Sequence, residues 1–113
     1  MPFISITTNQ TLTIPAKSKL KSEAGRLISI IPTKSEAHLM VSIADAQYMT
    51  FGGTEKPCAF IAVHLYTAAP QDSKRKFVEV FVPAASTLMG VPVGDIFVNI
   101  MEHDHWGSGG TFH

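Results

Sequence analysis

The chain is short of charge, of cysteine and of long apolar runs, and each shortage excludes a class of function. Only 16% of its 113 residues are charged, nine basic against nine acidic, so no excess of one sign exists to draw a polyanion. The basic residues form two small clusters, Lys17/Lys19/Lys21 and Lys74/Arg75/Lys76, which is too little for a nucleic-acid surface and reads instead as solvated helix faces. A single cysteine, Cys58, excludes an internal disulfide and a dithiol redox pair, and it fits a reducing compartment. No apolar stretch approaches the length of a membrane span, and the polar, alternating start does not read as a secretory leader, so the expected location is the cytoplasm. The "FGG" at Phe51–Gly53 lacks the lysine and the helix start of a phosphate loop, and its glycines are read as a tight turn.

What is present is apolar. At 45% hydrophobic residues the chain suits one folded domain over residues 1–113, and disorder is excluded. A domain of this size buries only about 65% of its unfolded surface. With so few charges, some apolar surface is expected to be buried between subunits.

The periodicity changes along the chain in a regular order. Phe3–Thr7 alternates like a strand, and Pro2 is acceptable at its start because a strand's first residue need not donate an N–H. Leu20, Ala24, Leu27, Ile28 and Ile31 recur at helical spacing, which predicts an amphipathic helix over Ala16–Ile31, entered at Pro15 and left at Pro32. "HLMVSIA" (His38–Ala44) and "CAFIAVHLY" (Cys58–Tyr66) predict strands. "KFVEVFVPAASTLMG" (Lys76–Gly90) alternates at first, yet it also places Phe77, Phe81, Ala84/Ala85 and Leu88 at helical spacing. Length and the terminal glycine favour a helix, irregular near Pro83. Asp95–Met101 is read as a strand, and the glycine-rich tail as ending in a short one.

This order is strand, helix, strand, twice over, with pseudo-repeats of about 1–54 and 55–113. The fold class is therefore α/β (α+β): two β-α-β units form a four-stranded sheet with both helices on one face. The other face is left bare, and packing it against the sheets of further subunits is the expected way to cover it.

"MPFI" at the start, "MTFGGTEKPCAF" at Met49–Phe60, "IFVNI" at Ile96–Ile100 and "GTF" at Gly110–Phe112 together resemble the family of macrophage migration inhibitory factor and D-dopachrome tautomerase, in the tautomerase superfamily. The likeness runs in order over essentially the whole chain, and "FGGTEKPC" is its most specific part. It implies a homotrimer whose active sites lie between neighbouring subunits, and a cofactor-free keto–enol tautomerase acting on small aromatic α-keto acids such as phenylpyruvate. It also implies removal of Met1, which would turn the Pro2 nitrogen into a secondary amine. An α-amino group titrates at about 7.7–8.0, and burial lowers that value, so a neutral amine and a competent general base are available near pH 7.

By the same resemblance, Pro2 is the catalytic residue and Lys34 holds the substrate carboxylate. Leu65 and Tyr66 make contacts beside them, Asn99 comes from the neighbouring subunit, and Phe97, Trp106 and Phe112 supply an aromatic wall. Three departures bear on the pocket. Phe97 stands where the mammalian cytokine has a tyrosine, Tyr66 replaces the usual isoleucine, and Trp106 is displaced by one position. The family's C-x-x-C pair is missing, because Cys58 is followed by Ala59, Phe60 and Ile61. A protein-interaction or cytokine-like molecule with a vestigial pocket and an unidentified receptor is the alternative. Decarboxylating or hydrating relatives need pocket arginines, and this chain has only Arg26 and Arg75.

Two histidine-bearing segments remain. "EHDH" (Glu102–His105) would set His103 and His105 on one strand face, a composition that suits zinc. It offers no third or fourth ligand at motif spacing, so no metal is expected and an exposed polar turn is preferred. His64, in the apolar "AVHLY", is read as a hydrogen-bonded core or interface residue.

Overall fold

The alternation of the first strand decides how the sheet faces its helices. In a computed structural model describing residues 1–113, strand β1 (Pro2–Thr8) buries Pro2, Ile4, Ile6 and Thr8, while Phe3, Ser5 and Thr7 point the other way and stay half-buried. β1 pairs in parallel with β2 (Met40–Ala44) and antiparallel with β3 (Ala59–Tyr66); β3 in turn pairs in parallel with β4 (Ile96–His103). The strand order is β2-β1-β3-β4. Each parallel pair needs a crossover, and helices α1 (Ile14–Leu27) and α2 (Gln71–Met89) supply them. Two β-α-β units are thus joined along β1 and β3, with both helices packed on one face of the four-stranded sheet.

One core holds these layers together. Leu20, Ala24 and Leu27 of α1 and Phe77, Phe81, Ala85 and Met89 of α2 close over Ile4, Ile6, Ile61, Val63 and Leu65 of the central strands. Phe77 and Phe81, one helical turn apart, stack with ring centres 5.3 Å from each other. Each such fully buried side chain contributes about 1.5–3 kcal/mol, so the inward alternation of β1 and β3 sets both register and stability.

The helix boundaries differ from the periodicity at both ends. Thr13 caps α1 by accepting a hydrogen bond from the Ala16 N–H at 3.2 Å, so the helix starts at Ile14, ahead of the expected Ala16. After Leu27 the helix tightens into a 3-10 turn over Ile28–Ile30, which still buries Ile28. α2 begins at Gln71, before the apolar stripe that announces it, and its first turns carry the Asp72–Arg75 ion pair. Pro83 lies inside α2, and the helix runs on through it. The helix stops at Gly90, whose φ of 69° is the left-handed conformation that ends a helix. Glu36–His38 form a 3-10 turn, so β2 starts at Met40 and not at His38.

The tail folds into a hairpin, β5 (Gly107–Ser108) against β6 (Thr111–Phe112). Gly109 and Gly110, at φ 59° and 79°, form its two-residue turn, the conformation that requires glycine there. The sheet face opposite the helices exposes Met40, Phe60 and Phe97. No helix is long and apolar enough to cross a membrane.

Candidate active site

The parallel and antiparallel registers bring the start of β1 to the end of β3. Pro2 pairs with Leu65, and the Tyr66 N–H donates to the Met1 carbonyl oxygen at 3.3 Å. Lys34 reaches the same corner from the loop after α1. Its backbone N–H donates to the Ile31 carbonyl at 3.2 Å, and its Nζ donates to the Tyr66 carbonyl at 2.6 Å.

This lysine is only 8% exposed. The chain's five ion pairs use Lys17, Arg26, Lys56, Lys74 and Arg75, so Lys34 faces a neutral carbonyl and no carboxylate. A desolvated ammonium without a counter-charge is costly, and an anion brought beside it recovers that cost. Its effect on the nearby amine is visible. The α-amino group of Met1 is held below its ordinary value, first by burial, then by the charge of Lys34 and a hydrogen bond with it.

Two backbone outliers flank the Lys34–Tyr66 contact. Thr33 (φ 68°) precedes Lys34 and Thr67 (φ 71°) follows Tyr66. A β-branched residue in the left-handed region is strained, and the surroundings must hold it there. The Thr67 N–H is held by the His103 carbonyl at 2.8 Å. Beside it, the Glu102 carboxylate accepts from the Ala69 N–H at 2.5 Å and pairs with Lys74 at 3.1 Å. Those partners, the backbone N–H first, hold Glu102 below the usual carboxylate range.

The structure gathers Pro2, Lys34, Tyr66 and Trp106 at this end of the sheet. The Tyr66 ring is 6.4 Å from that of Trp106, and Phe112 is 75% exposed on the hairpin, stacked on His105. A cavity of about 710 Å³ opens beside this group, with Met1, Phe3, Met40, Trp106 and Phe112 as its apolar walls; Pro2, Lys34 and Tyr66 do not line it. Leu65 contributes backbone only, since its side chain is fully buried in the core.

Phe97 and Asn99 are not brought to this corner. Asn99 pairs with Ala62 and Phe97 with Phe60, three and five residues before Leu65 along β3. At about 3.3 Å per residue, that places them about 10 and 16 Å along the sheet from the level of Pro2. Phe97 lies 5.0 Å from the Phe51 ring and shares with it a second, smaller cavity of about 290 Å³.

The sequence left the two strained threonines unread, for a threonine with left-handed backbone carries no signature in composition or spacing. It also left the partner of His64 open. That partner is His103, whose Nε2 lies 3.0 Å from His64 Nδ1. His105 lies beyond the end of β4 and stacks on Phe112, so the two histidines of "EHDH" are not paired on a strand face. Nowhere do three or more His, Cys, Asp or Glu side chains come together as metal ligands.

A family model described as macrophage migration inhibitory factor matches residues 1–111. No curated protein sequence matches the chain. Among solved structures, MIF2 of Leishmania major superposes with a TM-score of 0.92 at 21% identity, over 100% of this chain and 97% of that one. The MIF-like protein of Entamoeba histolytica gives 0.87 at 18% identity, over 99% and 98%. Pt0534, solved after inactivation by 2-oxo-3-pentynoate, gives 0.82 at 13% identity, over 96% and 93%. These structures share the fold of this chain. With the family match extending over nearly every residue, the chain belongs to the macrophage migration inhibitory factor family.

Proposed function

We propose that the protein is a cofactor-free keto–enol tautomerase of phenylpyruvate-like α-keto acids, working in the cytoplasm as a homotrimer. The observation that carries this reading is Lys34, a buried cation without a counter-charge, set beside the chain's first residues. An α-keto acid brings the missing carboxylate.

Removal of Met1 would do two things at once. It would expose the Pro2 nitrogen as a secondary amine in a buried position, and it would release the Tyr66 N–H from the Met1 carbonyl. The amine, kept neutral by burial and by Lys34, takes a proton from the carbon next to the substrate carbonyl. The negative charge that develops on the carbonyl oxygen is steadied by Lys34 and the freed N–H, and the proton held by the amine is then delivered to that oxygen, which gives the enol and restores the neutral amine. Trp106 and Phe112 accept the aromatic body, with Tyr66 beside them. Asn99 and Phe97 serve a neighbouring subunit's site, consistent with their place at the far end of the sheet. The inactivation of Pt0534 by a 2-oxo acid fits a fold that receives this class of compound.

A second reading, a cytokine-like interaction protein with weak activity and an unidentified receptor, draws on Phe97, whose ring lacks a hydroxyl for the pocket. Intact-mass measurement of the N-terminus, followed by a phenylpyruvate tautomerase assay on the wild type and Pro2→Gly, separates the two. A processed but inactive wild type sinks the enzyme. Activity that survives Pro2→Gly sinks the proposed base.

A further inference from the structure

Tyr66 and Thr67 share one trans peptide unit, so its carbonyl and its N–H point in opposite directions. Both ends are held. The Tyr66 carbonyl accepts from Lys34 Nζ at 2.6 Å, and the Thr67 N–H donates to the His103 carbonyl at 2.8 Å. The plane of this peptide therefore decides how the carbonyl is presented to the lysine. That plane turns with φ of Thr67, which stands at 71°, a left-handed value that a β-branched residue leaves unless it is restrained. The restraint on the far side of Thr67 is Glu102. Its carboxylate is the one side chain that hydrogen-bonds to residues 67–70, taking the Ala69 N–H at 2.5 Å. Helix α2 offers the loop no help, because Pro70 at its N-cap makes no side-chain capping bond.

The other half of the fold carries the same device in a different setting. Asp45, which follows β2, accepts from the Leu12 N–H at 2.9 Å and pairs with Lys17 at 3.1 Å. Glu102, near the end of β4, accepts from the Ala69 N–H and pairs with Lys74 at 3.1 Å. Leu12 and Ala69 each precede an N-cap residue, and Lys17 and Lys74 each stand four residues after one. What depends on the carboxylate differs. In the first half Thr13 also caps α1, and no hydrogen bond joins residues 9–13 to Lys34. In the second half the cap is missing, and the loop starts at the carbonyl on which Lys34 rests. The ion pair to Lys74 lies at the surface and adds little by itself, so the charge-assisted bond to the Ala69 N–H does most of the holding.

We infer that Glu102 is a positioning residue for Lys34: by holding Ala69 it keeps Thr67 left-handed and the Tyr66 carbonyl turned to the lysine. Without that bond Thr67 relaxes, the peptide plane turns, and the buried ammonium loses its acceptor and swings to water. The importance of this for catalysis rests on the tautomerase reading, in which Lys34 meets the substrate. The effect on the chain's first amino group does not, because Lys34 acts on that group by charge and by a hydrogen bond in any case.

An NMR titration of the first amino group in the full labelled chain, with the first residue identified by mass, tests the inference. Deleting a carboxylate removes negative charge, which by itself lowers the pKa of a nearby amine. Glu102→Ala should raise it instead, toward the value found in Lys34→Met, because the lysine has left. In the Lys34→Met background Glu102→Ala should give no further rise. His38, His64, His103 and His105, which share the cavity with Met1, and the exposed Asp104 are present in both backgrounds and drop out of the comparison. Glu102→Gln, whose amide oxygen still accepts from Ala69, should stay at or below the wild-type value. Asp45→Ala should lower stability and leave the amine unmoved, the result of a purely structural carboxylate. Phenylpyruvate kinetics on Glu102→Ala should show a fall in kcat/KM; an inactive wild type would sink the tautomerase reading, and the amine titration would still decide Glu102. No rise in Glu102→Ala, an equal rise with and without Lys34, or a Glu102→Gln variant that behaves like Glu102→Ala overturns the inference.

Discussion

Thr33 and Thr67 flank opposite ends of one hydrogen bond, the 2.6 Å contact from Lys34 Nζ to the Tyr66 carbonyl, and both have left-handed backbone. Ala46 is the chain's remaining non-glycine residue with positive φ. Strain that meets from two distant segments at a single contact is held by the rest of the fold, and it fixes where the lysine sits. Asparagine tolerates this conformation better than a β-branched residue. Thr33→Asn and Thr67→Asn should therefore each stabilise the protein by about 1 kcal/mol, read as a rise in urea midpoint at constant slope. A loss of stability in either variant would show that the threonine side chain outweighs its backbone strain.

Removing the charge of Lys34 should improve folding and ruin function. The ammonium is buried between a neutral carbonyl and the Met1 amino group with no carboxylate beside it, so Lys34→Met relieves a desolvated cation while filling the same space, and stability should rise. If the lysine steadies the substrate's carboxylate and developing negative charge, kcat/KM for phenylpyruvate should fall by about 10²–10³-fold. Thermal melts and steady-state kinetics on the same preparation check both halves. A variant that is less stable and fully active would make Lys34 structural.

The same lysine sets the pH profile. The chain's first amino group is lowered by burial and by Lys34, and Pro2 is more buried than Met1. If Met1 is removed and the Pro2 amine is the base, it must be neutral to act, so kcat/KM should rise with pH and level off above an inflection lying below the ordinary α-amino value. Lys34→Met removes a positive neighbour and should move that inflection upward. The stability linkage has the matching sign. An amine whose pKa is lowered in the folded state binds fewer protons than in the unfolded chain, so its penalty is present at low pH. That penalty disappears as pH rises from the folded to the unfolded value. An inflection unmoved by Lys34→Met would detach the lysine from the base.

Much of this arrangement was legible in the sequence where a pattern repeats. The inward alternation of Ile4, Ile6, Ile61, Val63 and Leu65 and the helical stripe of Phe77, Phe81 and Ala85 identify the sheet and its cover, because burial imposes those periods. Boundaries were less legible, since Thr13 and Gln71 act through a cap and a polar first turn that precede the apolar signal. The corner at Lys34 was named by resemblance and not by any period. What brings it to Tyr66 is a loop conformation held against strain at Thr33. The bond between His64 and His103 was invisible for another reason: residues 39 apart meet only through the register of β3 with β4.

That register also makes the last test decisive. Pro2 stands at the level of Leu65, whereas Asn99 lies two strands across and about 10 Å down the sheet, beyond the reach of its side chain. If Asn99 serves catalysis, it serves another subunit's proline. Pro2→Gly and Asn99→Ala should then each be nearly inactive alone. Unfolded together in equal amounts and refolded, they should regain activity at roughly a quarter of the sites, because each site draws one residue from each of two independently chosen subunits of a symmetric ring. Mass measurement verifies that the mixture is trimeric. Mixed trimers without recovered activity would confine the site to one subunit and remove Asn99 from it.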